Sequence, residues 1–159
     1  REITEARGRA RVCVDALRAR TIALARRPDL PPDARPHVEH ALGVYAEAIS
    51  SLPEMRRLEE ASGFAPRIRA GLDEIATTTS QVTGEPLTAD PFAGLCGIDP
   101  AHGLAVKPPA DGDRALCEAC RAAAERGESL VPRMLFEDGE AVPFDAARYG
   151  PVLRPEPVA

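Results

Sequence analysis

From Glu2 to Arg27 apolar side chains return at Ile3, Ala6, Ala10, Cys13, Val14, Leu17 and Leu24, with arginines flanking the stripe. Recurrence at helical spacing puts them on one face of a long helix. Pro28-Asp29-Leu30-Pro31-Pro32 ends that helix, because proline has no amide to donate and restrains the residue before it. Asp33 then stands where a cap belongs, and Val38, Ala41, Leu42, Tyr45, Ile49 and Leu52 form the stripe of a second helix, expected to run antiparallel to the first. Pro53 either kinks this helix or opens a new one, capped by Ser51 and continuing through Met55 and Leu58 to Ser62-Gly63. A last helix is predicted from about Ala65 to Val82, burying Ile68, Leu72 and Ile75, with Gly84 and Pro86 to stop it.

Beyond residue 84 the pattern changes. Helical periodicity is lost and Gly and Pro become frequent. Leu104 to Lys107 and Arg114 to Leu116 read as short strands of a hairpin with a loose loop between them. An alanine-rich helix is predicted from Cys120 to Gly127. Leu130 to Glu137 and Glu140 to Pro143 then alternate around Asp138-Gly139, a favoured two-residue hairpin turn. The expected organisation is a helical bundle or coiled-coil domain over 1–86, a small α+β module over 87–150, and a disordered tail over 151–159. The fold class is α+β, mainly α.

Composition sharpens this in two places. Aromatics make up only 4% of the chain and Trp is absent, so the core has to be built from Leu, Ile, Val and Ala, which suits helix packing. The net charge of −5 hides an asymmetry, since residues 1–27 carry eight arginines against Glu2, Glu5 and Asp15. Such an opening can face nucleic acid or an anionic membrane, and its plainer reading is the solvated flank of a helix. No apolar run is long enough to span a bilayer. The chain begins with Arg1 and shows no signal-peptide pattern, as expected of a segment whose targeting information lies upstream.

The candidate chemistry is concentrated in the module. Cys96, His102, Cys117 and Cys120 form the pattern C-x5-H-x14-C-x2-C, an inventory that suits a tetrahedral Cys3His zinc site. In order it gives a turn with two ligands, a hairpin, and a helix start with two more, which resembles a treble-clef zinc finger. The C-x2-C half is the more specific signal; the C-x5-H half exceeds the usual spacing and needs a tight turn at Asp99-Pro100. Gly97 and Gly103 let the backbone approach a metal. Reduced structural cysteines, with His102 capping a turn, and disulfide or redox use are the alternatives. C-x2-C spacing in a reducing compartment favours metal.

Several activities find no support. There is no G-x-S-x-G, Walker loop or G-x-G-x-x-G, and the deaminase pattern is not matched, because no H-x-E occurs and Leu116 precedes Cys117. An open zinc site with Asp99 as base remains the hydrolase-type alternative. A nucleic-acid-binding zinc finger is disfavoured, because acids outnumber the five Arg and one Lys of residues 90–150. His37 and His40 lie one helical turn apart, yet lack the H-E-x-x-H pattern and read as surface histidines. Cys13 sits on the first apolar stripe as a small hydrophobe.

The runs Cys96-Gly97-Ile98-Asp99-Pro100-Ala101-His102-Gly103, Cys117-Glu118-Ala119-Cys120 and Asp138-Gly139-Glu140-Ala141-Val142-Pro143-Phe144 carry a resemblance. Over roughly residues 38–150 the chain resembles the C-terminal part of a group of uncharacterised actinobacterial membrane proteins, with C-F-x-D-P-x-H-G, a later C-x-x-C or C-x-x-D, and an x-D-G-x-x-x-P-[YF] hairpin. The resemblance implies a secreted domain, one transmembrane helix and a cytosolic helical region ending in this module. The arginine-rich opening would then be the positive flank just inside the membrane. Gly97 replaces the group's aromatic, Cys120 stands where some members have Asp, and Arg154-Pro155-Glu156-Pro157 replaces a glycine- and aromatic-rich tail. No activity comes with the resemblance. The function expected is a non-enzymatic interaction or scaffold module with structural Zn2+, a protein partner or self-association, no nucleic acid, and a cytoplasmic, membrane-proximal location.

Overall fold

The computed structural model describes residues 2–88, 90–106 and 114–145. It is mainly helical. Helix α1 spans Glu2–Ala25, α2 Arg35–Ser51 and α3 Leu58–Thr83, and each packs on the other two. Their relative directions follow from side-chain partners. Arg7 donates to the carbonyls of Pro53 and Met55 while Arg18 lies over the Tyr45 ring, so α1 and α2 are antiparallel. His37 meets Glu74 and Glu47 meets Arg67, so α2 and α3 are antiparallel too. The core between them is aliphatic: Val12, Leu17, Leu24, Val38, Ala41, Val44, Ala48, Ile68, Leu72 and Ile75 are buried together. Gly71 permits the tightest approach, since a Cβ there would lie 3.2 Å from Leu17 Cδ2 and 3.6 Å from Val44 Cγ1.

Three local expectations are corrected. Asp33 does not cap α2; it lies in a 3₁₀ turn, Pro32–Ala34, and Ala34 occupies the cap position with no side-chain bond. Ser51 likewise caps nothing: the chain tightens into a 3₁₀ turn at Leu52–Glu54, extends at Met55, and enters α3. The two helices expected between Ser51 and Val82 are then one from Leu58, passing through Ser62-Gly63 and Pro66. Pro66 and Ser62 both face solvent, where the carbonyl that loses its amide partner can be hydrated, while Ala61, Phe64 and Ile68 keep the inner face continuous.

The α2 stripe is also rotated from the one predicted. Val44 and Ala48 are buried, whereas Leu42 is 37% exposed and Tyr45 and Ile49 lie at the border. The small residues face α1 and α3 at the close contact and push the larger ones to its rim.

Beyond α3 come a 3₁₀ turn at Pro100–His102, helix α4 at Glu118–Glu125, and strands β1 (Met134–Glu137) and β2 (Glu140–Pro143). The strands pair antiparallel with Glu137 opposite Glu140, and the hairpin turns through Asp138 at φ 51° and Gly139 at φ 82°, the two positive values the predicted turn requires. Strand β1 is shorter than the Leu130 to Glu137 run, and α4 begins two residues earlier than expected. Of the looser hairpin, one bond from the Val106 amide to the Leu116 carbonyl is present; residues 107–113 lie outside the described residues, as does the tail expected to be disordered.

The boundary at residue 86 marks a change of composition and not a break in packing. Phe92, Leu95, Leu135 and Phe144 belong to the same buried cluster as the helices, with Phe92 and Phe144 edge to face at 5.1 Å. Helix α1 is therefore covered on both sides, by α2 and α3 on one and by the Pro100 turn and β1 on the other, and Val12 through Leu17 are buried without interruption. Its arginines are not simply a solvated flank: Arg7, Arg11 and Arg20 all make bonds to other groups of the protein.

Candidate metal centre

The site begins with a turn held from below. The Asp90 carboxylate accepts from the Phe92 amide at 3.0 Å, and Arg20 of α1 donates to the carbonyls of Asp90, Pro91 and Ala93. Burial lowers the Arg20 pKa, with the nearby Asp90 opposing that shift. Leu95 then bridges Leu104, and the Cys96 amide donates to the Gly103 carbonyl at 2.9 Å, closing a loop that brings Cys96 and His102 together. The long C-x5-H spacing is absorbed by the Pro100–His102 turn, which Asp99 caps by accepting from the Ala101 amide at 3.0 Å. Gly103 leaves this turn at φ 95° and ψ −154°, a conformation side-chain-bearing residues avoid.

The second half is delivered by α4. Cys117 is its N-cap and its sulfur accepts from the Cys120 amide at 3.4 Å, which puts both sulfurs at the positive end of the helix. The halves are joined where the Gly97 amide donates to the Ala115 carbonyl at 2.6 Å. A Cβ at position 97 would lie 3.1 Å from that carbonyl oxygen, so glycine is what this junction accommodates.

All four predicted residues converge, with donor atoms within 4.8 Å of one another. His102 Nδ1 lies 3.7 Å from Cys96 Sγ, 3.8 Å from Cys117 Sγ and 3.4 Å from Cys120 Sγ, and Cys96 Sγ lies 3.8 Å from Cys120 Sγ. A tetrahedral ion with bonds of about 2.3 Å to sulfur and 2.0–2.1 Å to nitrogen sets donor separations of about 3.5–3.8 Å. The cluster suits a metal ion such as zinc. The three cysteines are buried and His102 is exposed, so the imidazole forms the outer wall. All four cysteines of the chain are free thiols, Cys13 apart in the helical core, where burial raises its pKa.

The thiols are not equivalent. Burial pushes the Cys96 thiol up, but backbone hydrogen bonds from Asp99, Cys117 and Ile98 and the His102 ring outweigh it and bring the group to about 7. Cys120 is driven the other way, to about 12, by burial and by the two neighbouring sulfurs. Three sulfurs this close resist carrying three negative charges unless a cation sits among them.

Asp99 is occupied. Besides capping its turn, Oδ1 takes Arg133 Nη1 at 3.3 Å, and the same nitrogen donates to Asp15 Oδ2 of α1 at 2.6 Å. The Arg133 amide donates to the Ile98 carbonyl at 2.9 Å and its carbonyl accepts from the Phe144 amide at 2.7 Å. Arg133 thus fastens the Cys96 turn to both α1 and the hairpin. No local pattern signals it, because its partners lie 118 and 34 residues away. His37 and His40 are placed elsewhere, on the exposed α2–α3 seam.

No family model, curated protein or solved structure matches the chain. Among the described residues, no helix is long and apolar enough to cross a membrane.

Proposed function

We propose that this chain is a non-enzymatic protein-interaction module whose Cys96, His102, Cys117 and Cys120 hold one structural Zn2+ in a treble-clef-like frame. The observation that carries the reading is the closure of the donor set: three buried sulfurs and one imidazole lie within 4.8 Å of one another, with the imidazole nitrogen 3.4 to 3.8 Å from each sulfur. Four protein ligands leave no position for a reactive water, and thiolate-rich donors favour zinc over magnesium or calcium. The small cluster around the site, Cys96, Ile98, Cys117 and Cys120 with Leu116 and Leu130 against it, is too slight to hold a turn and an eight-residue helix by apolar burial alone. Asp99, the one base candidate, is engaged by its turn and by Arg133.

A protein partner is supported by the outward face of the hairpin, where Met134 pairs with Pro143 and Phe136 with Ala141, with Met134 46% and Phe136 52% exposed. Free thiols at C-x2-C spacing fit a reducing compartment, and the resemblance to membrane-anchored proteins, if it holds, would put the module on the cytosolic side of an upstream anchor.

Zinc content of the chain purified without chelator tests the proposal. One zinc per chain is expected, lost in Cys117→Ser and Cys120→Ser; absence of metal together with unchanged melting in strong chelator overturns it. An activity screen adds the second arm: metal-dependent turnover that vanishes in Asp99→Asn with zinc retained would replace the scaffold reading with a metalloenzyme.

A further inference from the structure

The chain has three histidines, and the two outside the Cys centre meet on a single carboxylate. His37 and His40 project from consecutive turns of α2, and Glu74 reaches them from α3: His37 Nδ1 lies 2.7 Å from Oε2, and His40 Nδ1 contacts Oε1. We infer that His37, His40 and Glu74 form a second, solvent-facing site for a divalent transition-metal ion with nitrogen and oxygen preference.

The present separation is that of a hydrogen bond, so both rings must open slightly from the carboxylate to admit an ion. Adjacent ligands on a six-coordinate ion with bonds of about 2.1 Å stand about 3.0 Å apart, close to the His37 to Glu74 distance. Two imidazoles and one carboxylate are the donor set that open-coordination iron and related sites use, leaving positions for water or substrate oxygen. Ion binding replaces two hydrogen bonds, with each ring coordinating through Nδ1 and its proton carried on Nε2. The imidazole side chains are 46% and 65% exposed and so can swing together onto the ion. Next to them lies a cleft of about 460 Å³ lined by His37, Asp73, Glu74, Thr77 and Gln81, with room for further oxygen ligands. Glu74 and Asp73 supply charge to match a divalent cation. Burial raises the Glu74 pKa, but the two histidines outweigh that and hold the carboxyl below its ordinary value, so it is ionised at neutral pH.

The test is calorimetric titration of the zinc-loaded full chain with Ni2+, with zinc content followed in parallel. One additional Ni2+ per chain is expected while zinc stays bound, and His37→Ala, His40→Ala and Glu74→Gln should each weaken it at least tenfold. No saturable second equivalent overturns the inference. So does a second equivalent that survives all three changes, or one lost with either histidine but unaffected by Glu74→Gln, which would be a bare helical histidine pair. Zinc content reports separately on the Cys centre, so failure there is distinguishable from failure here.

Discussion

Replacing Arg133 with alanine should weaken the fold and the metal centre together. The Arg133 side chain is 18% exposed and lies between Asp15, 9% exposed, and Asp99, 24% exposed. Removing one partner of a buried ion pair costs about 3–5 kcal/mol, because the charge left behind stays desolvated. Asp15 here keeps Arg11 Nε at 3.1 Å, and Asp99 keeps the Ala101 amide, so the expected loss is nearer about 2–3 kcal/mol. With a urea m-value of about 1–3 kcal/mol/M for a domain this size, the midpoint should fall by about 0.7–3 M. The turn carrying Cys96 and His102 would also lose its anchor to α1, and losing such a supporting contact typically lowers metal affinity about 10- to 100-fold. Urea unfolding followed by circular dichroism gives the first quantity, and competition with a calibrated chelator gives the second. A midpoint within about 0.3 M of the parent with unchanged zinc affinity would refute the coupling, because that network would then stabilise nothing. A stability loss without an affinity loss would refute only the link to the metal.

Phe144→Ala should cost about 3–5 kcal/mol, since the ring is fully buried against Phe92, and unfolding should remain a single transition in which helix and hairpin signals move together; two separated transitions would show the module to be independent. Leu42→Asp should cost about 1–2 kcal/mol, less than a core substitution, because the residue lies at the rim of the α2 contact, 37% exposed; a loss above about 4 kcal/mol in urea unfolding would mean that the rim is fully covered. The Glu74 pKa is lowered on folding, so its contribution is present above the ordinary carboxylate range and is lost as pH falls through the folded value. Glu74→Gln should therefore flatten part of the acid side of the stability profile below about pH 4.5, and parallel profiles for parent and variant would contradict this.

The sequence alone determined the local features whose physics is local. Asp138-Gly139 specified its hairpin turn because few other residue pairs accept two positive φ angles. Cys96, His102, Cys117 and Cys120 were legible because their donor atoms and spacing are unusual, and the turn that Asp99-Pro100 had to make is the one that forms. Long helices were legible as well, since 3.6-residue periodicity survives whatever packs on it.

Tertiary structure decided everything that depended on which surfaces meet. Ser62-Gly63 reads locally as the end of one helix and Ala65 as the start of the next, yet α3 runs through both and through Pro66, because a continuous inner face outweighs one missing bond on the solvent side. The face of α2 that turns inward was set by the close contact at Gly71, which favours Val44 and Ala48 over Leu42. The compositional break near residue 86 suggested two units, but the apolar back of the module, Phe92, Leu95, Leu135 and Phe144, closes over the far side of α1. Arg133 and Glu74 join residues far apart in the chain, and no periodicity or spacing encodes a bond of that kind. Such contacts exist only once the helices have fixed which side chains are neighbours.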